Sequence, residues 1–175
     1  RGSLLVSDIE KRTFGDGQKY FVSLCGAASA TQKLFLGNFL KLADYGAVAF
    51  QMDQQLGFYA DACYSSSHGH PEGYGPWMTG ATREFIRKTV SALKERNAQA
   101  ALGSEGWSEP FLQDQQYAFY RPYGDPDVPL FAYLYHEYAP SYGGDLEMGV
   151  SHPDAPAMKH ARMFVYGLQH LIEIV

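Results

Sequence analysis

The stretch AVAFQM, residues 47–52, is a short apolar run rich in strand formers, while the segments on either side repeat their apolar positions every three or four residues. Such a change of period separates strands from helices. Upstream, Phe35, Phe39, Leu42 and Ala43 share one helical face. With Ser29 or Thr31 as N-cap and Gly46 as a C-terminal stop, this predicts a helix over about 31–45. Downstream, Met78, Ala81, Phe85, Ile86, Val90 and Leu93 fall on one side of MTGATREFIRKTVSALKERNAQ, with the charged residues opposite, as in an amphipathic surface helix. AVAFQM, too short for a helix, reads as a strand buried on both faces.

Nearer the start, GDGQ is a turn signal between two apolar runs and predicts a hairpin, with Tyr20 to Leu24 as its better strand. AALGSEG reads as a strand ending in a carboxylate, and VPLFAYLYHEY as a further strand after an irregular segment. The last periodic segment offers Asp154 as a cap, an early Pro156, and Met158, Ala161, Val165, Leu168 and Ile172 in helical register. Strands alternating with helices imply an α/β protein with a parallel sheet. No glycine-rich phosphate loop follows any strand; acidic or polar side chains do, and barrel active sites are built at that end. The expected fold is a (β/α)8 TIM barrel. A full barrel takes about 250 residues, so residues 1–175 form a single, partial barrel domain of about four to five units.

Composition narrows the partners. A hydrophobic content of 46% supports a real core, and a net charge of -5 without a Lys/Arg cluster argues against nucleic acid. No stretch reaches the roughly 20 apolar residues of a membrane span. The opening RGS and the closing HLIEIV suggest that both termini are incomplete, which leaves localisation open and makes self-association or a missing flank an expectation. Cys25 and Cys63 have no C-x-x-C spacing and read as two free thiols. The 13 Tyr and 11 Phe, many of them between periodic segments, suit a sugar-binding cleft or the edge of an ordinary core.

The candidate chemistry follows from strand parity. Ala49, Gln51 and Asp53 share the inward face of their strand, with Gln51 one layer beneath Asp53, while Val48, Phe50 and Met52 turn to the helices. By the same parity Ala101, Gly103 and Glu105 face inward, and Gly103 leaves room for a group below Glu105. Carboxylates ending adjacent strands, here Asp53 and Glu105, can reach the roughly 5–5.5 Å separation of a retaining glycosidase, one acting as nucleophile and the other as acid, or stand further apart if a water must fit between them. The alternative is that both acids cap helices or pair with Lys/Arg. HGHP at 68–71 has three readings: a metal pair completed by Asp53 and His136, a structural turn, or a substrate loop in which His68, His70, Tyr74 and Trp77 bind a polar ligand. The substrate loop is preferred, with neither metal nor cofactor. Trp107 and Glu109 lie close to Glu105 in sequence, and Tyr135, His136 and Glu137 end the third strand.

GAVAFQMDQ, SHGHPEGYGPW, ALGSEGWSEPF and VPLFAYLYHEY, in this order over about residues 20–170, resemble a glycoside-hydrolase-like barrel family. That family occurs in bacterial and metagenomic carbohydrate-utilisation proteins and is largely of unknown function. The resemblance implies a (β/α)8 glycosidase related in layout to retaining α-glycosidases, with Asp53 as nucleophile, Glu105 as acid/base, and Gln54, His68, His70 and Trp107 around a carbohydrate substrate. Two other functions fit the same residues: a non-catalytic carbohydrate-binding barrel and a metal-dependent barrel hydrolase.

Overall fold

A computed structural model describes residues 10–14, 17–21, 24–52, 62–120, 130–143 and 155–170. The chain divides into two compact units, residues 1–48 with 55–100, and residues 49–54 with 101–175.

The first unit contains the expected hairpin and both expected helices. Strands β1 (Glu10–Phe14) and β2 (Gly17–Phe21) pair antiparallel, so the second strand begins earlier than the apolar run alone indicates. Helix α1 spans Ser29–Asp44. Ala28, in extended conformation, stands at its N-cap without a side-chain hydrogen bond, and Ser29 and Thr31 lie inside the first turn instead of capping it. Its C-terminus is closed by Gly46 at φ 96°. Gly46 N–H bonds Ala43 O at 2.9 Å and Ala47 N–H bonds Leu42 O at 3.2 Å, the paired bonds of a Schellman cap. Phe39 is buried and Phe35 half-buried, but Leu42 is 50% exposed, so the apolar stripe does not reach the last turn.

Helix α2 (Trp77–Arg96) buries Met78, Thr82, Phe85, Ile86, Thr89 and Leu93. The apolar periodicity anticipated Met78, Phe85, Ile86 and Leu93, and two threonines complete the stripe. Thr82 is accommodated by donating its hydroxyl to Met78 O at 2.9 Å, one turn back along its own helix. Phe35 and Phe85 meet edge to face at 6.3 Å between α1 and α2. Arg96 pairs with Asp44 near the C-terminal ends of the two helices.

The second unit is an all-parallel sheet in the order β3-β4-β5-β6-β7. Its strands are β3 (Ala49–Met52), β4 (Ala101–Ser104), β5 (Tyr117–Tyr120), β6 (Ser141–Gly143) and β7 (Gln169–His170). Each strand pairs with the next in sequence, without the reversal of order that defines a doubly wound sheet. This is an α/β protein with a parallel sheet.

Three expectations are corrected here. Strand β3 is not buried on both faces: Phe50 and Met52 are buried, whereas Ala49 and Gln51 are exposed. Only one side of the ribbon is covered, and the alternation was hidden in sequence because alanine counts as apolar on either face. Val48 precedes the strand and is 45% exposed. The run VPLFAYLYHEY holds no described strand; it contains helix α3 (Leu130–Tyr135), with Leu130, Tyr133 and Leu134 exposed. Short apolar runs carry no decisive period. The segment read as irregular instead supplies β5, whose Ala118 and Phe119 are buried.

Helix α4 (Ala155–Val165) starts where predicted but stops well before Ile172. Gly167, at φ 67°, closes it as Gly46 closes α1: Gly167 N–H bonds Phe164 O at 3.1 Å and Leu168 N–H bonds Met163 O at 3.0 Å. Among the described residues Met163 and Leu168 are buried, while Met158, Ala161 and Val165 are exposed, so of the predicted face only Leu168, beyond the helix end, is covered. Asp154 and Ile172 lie outside the described residues.

Candidate functional site

The register of β3 and β4 pairs Gln51 with Gly103 and Met52 with Ser104. In sequence the next residues are Asp53 and Glu105. Asp53 and Gln54 lie outside the described residues, so the structure defines the Glu105 side of the expected pair. Gln51 is exposed on β3.

Glu105 follows β4 directly and is half-buried. The room beside Gly103 is filled by an aromatic ring. A Cβ there would stand 2.4 Å from the Tyr117 ring and 2.6 Å from its carbonyl oxygen, so only glycine fits. Tyr117 donates its hydroxyl to Phe50 O at 2.6 Å, tying β5 across β4 to β3. Burial, reinforced by Tyr142 alongside, pushes its hydroxyl up to about 12. The Tyr142 ring lies 5.6 Å from that of Tyr117, and its hydroxyl is also raised, by burial first and then by the Glu105 charge. Both tyrosines are therefore held as neutral phenols, and Tyr142 lies within reach of the Glu105 charge. The buried Ser104 hydroxyl lies 2.5 Å from Gly106 O and 2.8 Å from Gln115 Oε1, which holds the turn after β4.

Trp107, Glu109 and Tyr135 are also brought together. Trp107 donates Nε1–H to Ser141 Oγ at 2.7 Å and stacks on Phe131 at 6.1 Å. Phe131 leans on Tyr135 at 4.8 Å, and Tyr135 donates its hydroxyl to Glu109 at 2.9 Å. That hydrogen bond, with the Glu109 charge, raises the Tyr135 hydroxyl. Glu109 opens a single 3₁₀ turn, Glu109–Phe111. His136 and Glu137 follow α3 as exposed residues; the His136 ring Nδ1 lies 3.1 Å from Tyr133 O, a local contact. Sequence reasoning missed Tyr117, Tyr142 and Ser141, because β5 and β6 are too short to show a period and Tyr reads as core edge as readily as site.

In the first unit, His68 and His70 meet the two cysteines. His70 Nε2 lies 3.2 Å from Cys25 Sγ and His68 Nδ1 lies 3.2 Å from Cys63 Sγ. Both cysteines are free and buried, and burial pushes the Cys25 thiol up. Of the metal set considered from spacing, Asp53 lies outside the described residues, and the groups found beside the two histidines are the sulfurs of Cys25 and Cys63. The His70 ring stacks face to face on Trp77, 3.7 Å apart and 8° from parallel, so one face of the indole is taken up inside the protein. Gly75 lets the indole lie against the loop, since a Cβ there would be 2.8 Å from Trp77 Cδ1. Tyr74 is 69% exposed. His68, His70 and Trp77, expected as part of a substrate loop, pack here with one another and with the two cysteines.

Among the described residues no helix is long and apolar enough to cross a membrane. No curated protein and no solved structure matches the chain significantly. One family model matches, that of a domain of unknown function, DUF6259, over residues 11–146. That span takes in more than half of the sequence, from the hairpin through β6, and the chain belongs to the DUF6259 family.

Proposed function

We propose that this protein is a glycoside hydrolase of (β/α)8 design, acting on an oligo- or polysaccharide by double displacement. The observation that carries this reading is the strand order: five parallel strands, each beside its sequence neighbour, as successive strands of a singly wound barrel are. Glu105 stands at the carboxyl end of β4, where such barrels carry their chemistry. In this reading Asp53, the residue after β3 in sequence, is the partner of Glu105, the residue after β4. Asp53 attacks the anomeric carbon while Glu105 protonates the leaving oxygen, and Glu105 then deprotonates the water that releases the sugar. Tyr142, held protonated by burial and by the Glu105 charge, keeps a neutral phenol in the neighbourhood of the proposed acid/base. Trp107 and Tyr135 offer aromatic surface to sugar rings, with Glu109 accepting from a hydroxyl.

The test is turnover of a panel of aryl glycosides. Asp53→Asn and Glu105→Gln are each expected to lower kcat by about 10²–10⁴-fold. With a good leaving group the Glu105→Gln variant should keep its first step and show a burst, and azide should restore turnover by replacing activated water. Wild-type rates in both variants overturn the assignment. Sugar-dependent quenching of Trp107 with no turnover on the panel overturns catalysis in favour of carbohydrate binding alone.

A further inference from the structure

We infer that Cys25, Cys63, His68 and His70 form a closed tetrahedral zinc site that clips the segment entering α1 to the loop entering α2. This inference is independent of the reaction proposed above. One donor atom from each of the four residues lies within 4.8 Å of all the others. In a tetrahedral site with Zn–S of about 2.3 Å and Zn–N of about 2.0–2.1 Å, the donors stand roughly 3.4–3.8 Å apart. The two S···N contacts of 3.2 Å already lie near that spacing, and with every pair inside 4.8 Å none has to close by more than about 1.4 Å.

The backbone around the cluster is shaped to deliver the donors. Gly69, at φ 77°, separates His68 from His70 and turns the chain so that neighbouring imidazoles approach the same pair of sulfurs. Gly73, at φ 81°, returns the loop so that Gly73 N–H bonds Cys63 O at 2.8 Å in an isolated antiparallel bridge. His70 Nδ1 lies 2.7 Å from Pro71 O, an acceptor that takes only the Nδ1–H tautomer. Nε2 is then the nitrogen with a lone pair, and it is the one aimed at Cys25. A backbone carbonyl behind a ligating histidine orients the ring and raises its basicity. Stacking on Trp77 holds the ring plane, and Ala27, Ala28 and Trp77 pack around the buried sulfurs and keep water out.

Donor chemistry selects the metal class. Two thiolates and two imidazoles in a closed tetrahedron suit zinc and leave no position for substrate, so the role is structural. The competing chemistry for two buried neighbouring thiols is a disulfide. It would use both sulfurs and leave each imidazole nitrogen facing a sulfur that has no proton to share. The signal was faint in sequence because Cys25 and Cys63 are far apart and neither belongs to a C-x-x-C pair.

Purification without chelator followed by elemental analysis should find about one zinc per chain that survives dialysis. After zinc is removed, Co2+ alone should give the intense visible bands of tetrahedral cobalt and a near-ultraviolet thiolate charge-transfer band. Cys63→Ser and His70→Gln should lose stoichiometric metal, and His160→Asn should retain it. If the Cys63 variant fails to fold, the cobalt spectrum of the unaltered chain decides. Substoichiometric metal with no thiolate-to-cobalt band overturns the site, as does a Cys25–Cys63 disulfide found by non-reducing peptide mapping of freshly purified protein.

Discussion

In the first unit four polar or polarizable side chains turn inward: Cys25 and Cys63 are buried and the two histidines close on them. In the second, Glu105 and Glu109 stand past strand β4, half-buried and exposed, each beside a tyrosine. The first arrangement collects groups from distant loops and excludes water, which suits a fixed structural role. The second takes its groups from the segment after β4, from α3 and from β6, and leaves Glu109 exposed, which suits a ligand that must enter and leave. Polar clusters in one chain can thus be sorted by how they are assembled as well as by which residues they contain.

Each unit carries one of the chain's two tryptophans, Trp77 in the first and Trp107 in the second, so the contrast can be followed separately. The largest expected effect is Phe85→Ala. Phe85 is 2% exposed, and its loss should cost about 3–5 kcal/mol, read by urea denaturation through Trp77 in a Trp107→Phe background. If the Trp107 signal, followed in a Trp77→Phe background, shifts equally, the two units unfold as one and the contrast is confined to their sites.

Next comes Gly103→Ala. The new Cβ meets both the Tyr117 ring and its carbonyl oxygen, and overpacking of this kind costs about 1–3 kcal/mol, read through Trp107. Adding Tyr117→Ala should not restore stability, because the backbone contact remains at 2.6 Å and a packed ring is lost. Full recovery would show that the ring alone demands glycine.

The smallest effect concerns pH. The Tyr117 hydroxyl goes from its ordinary 10.0 to about 12 in the folded state, so folding favours the neutral phenol. Its contribution is complete below pH 10 and is lost as pH rises towards about 12. Tyr117→Phe should remove that alkaline descent of the urea midpoint seen through Trp107, while the Trp77 probe keeps its own pH profile. An unchanged descent in the variant would assign it to other groups.

The two helix stops show why part of the fold was legible. Tyr45-Gly46 and Tyr166-Gly167 end their helices with the same pair of backbone bonds, and a strand follows each within three residues. Gly46 was readable because the apolar period breaks there; Gly167 was not, because Leu168 and Ile172 carry the helical period past it. The run around Leu130–Tyr135 failed for the opposite reason, since strand formers occupied a stretch whose exposed side chains no sheet covers. In the site, parity indicated that Gly103 makes room near Glu105, but not that Tyr117 fills it from β5.

By itself the sequence determined the elements whose signal is local: the hairpin, the bodies of α1 and α2, strands β3 and β4 with their carboxylate-bearing ends, and the start of α4. Periodicity, turn chemistry and strand parity act over a few residues and survive without knowledge of neighbours. Only the tertiary structure decided that Cys25 meets His70, that the Glu105 charge reaches Tyr142, and that short segments such as Ser141–Gly143 become strands. Those outcomes depend on which distant chain lies alongside, and a three-residue strand has no stability apart from the partner that supplies its hydrogen bonds.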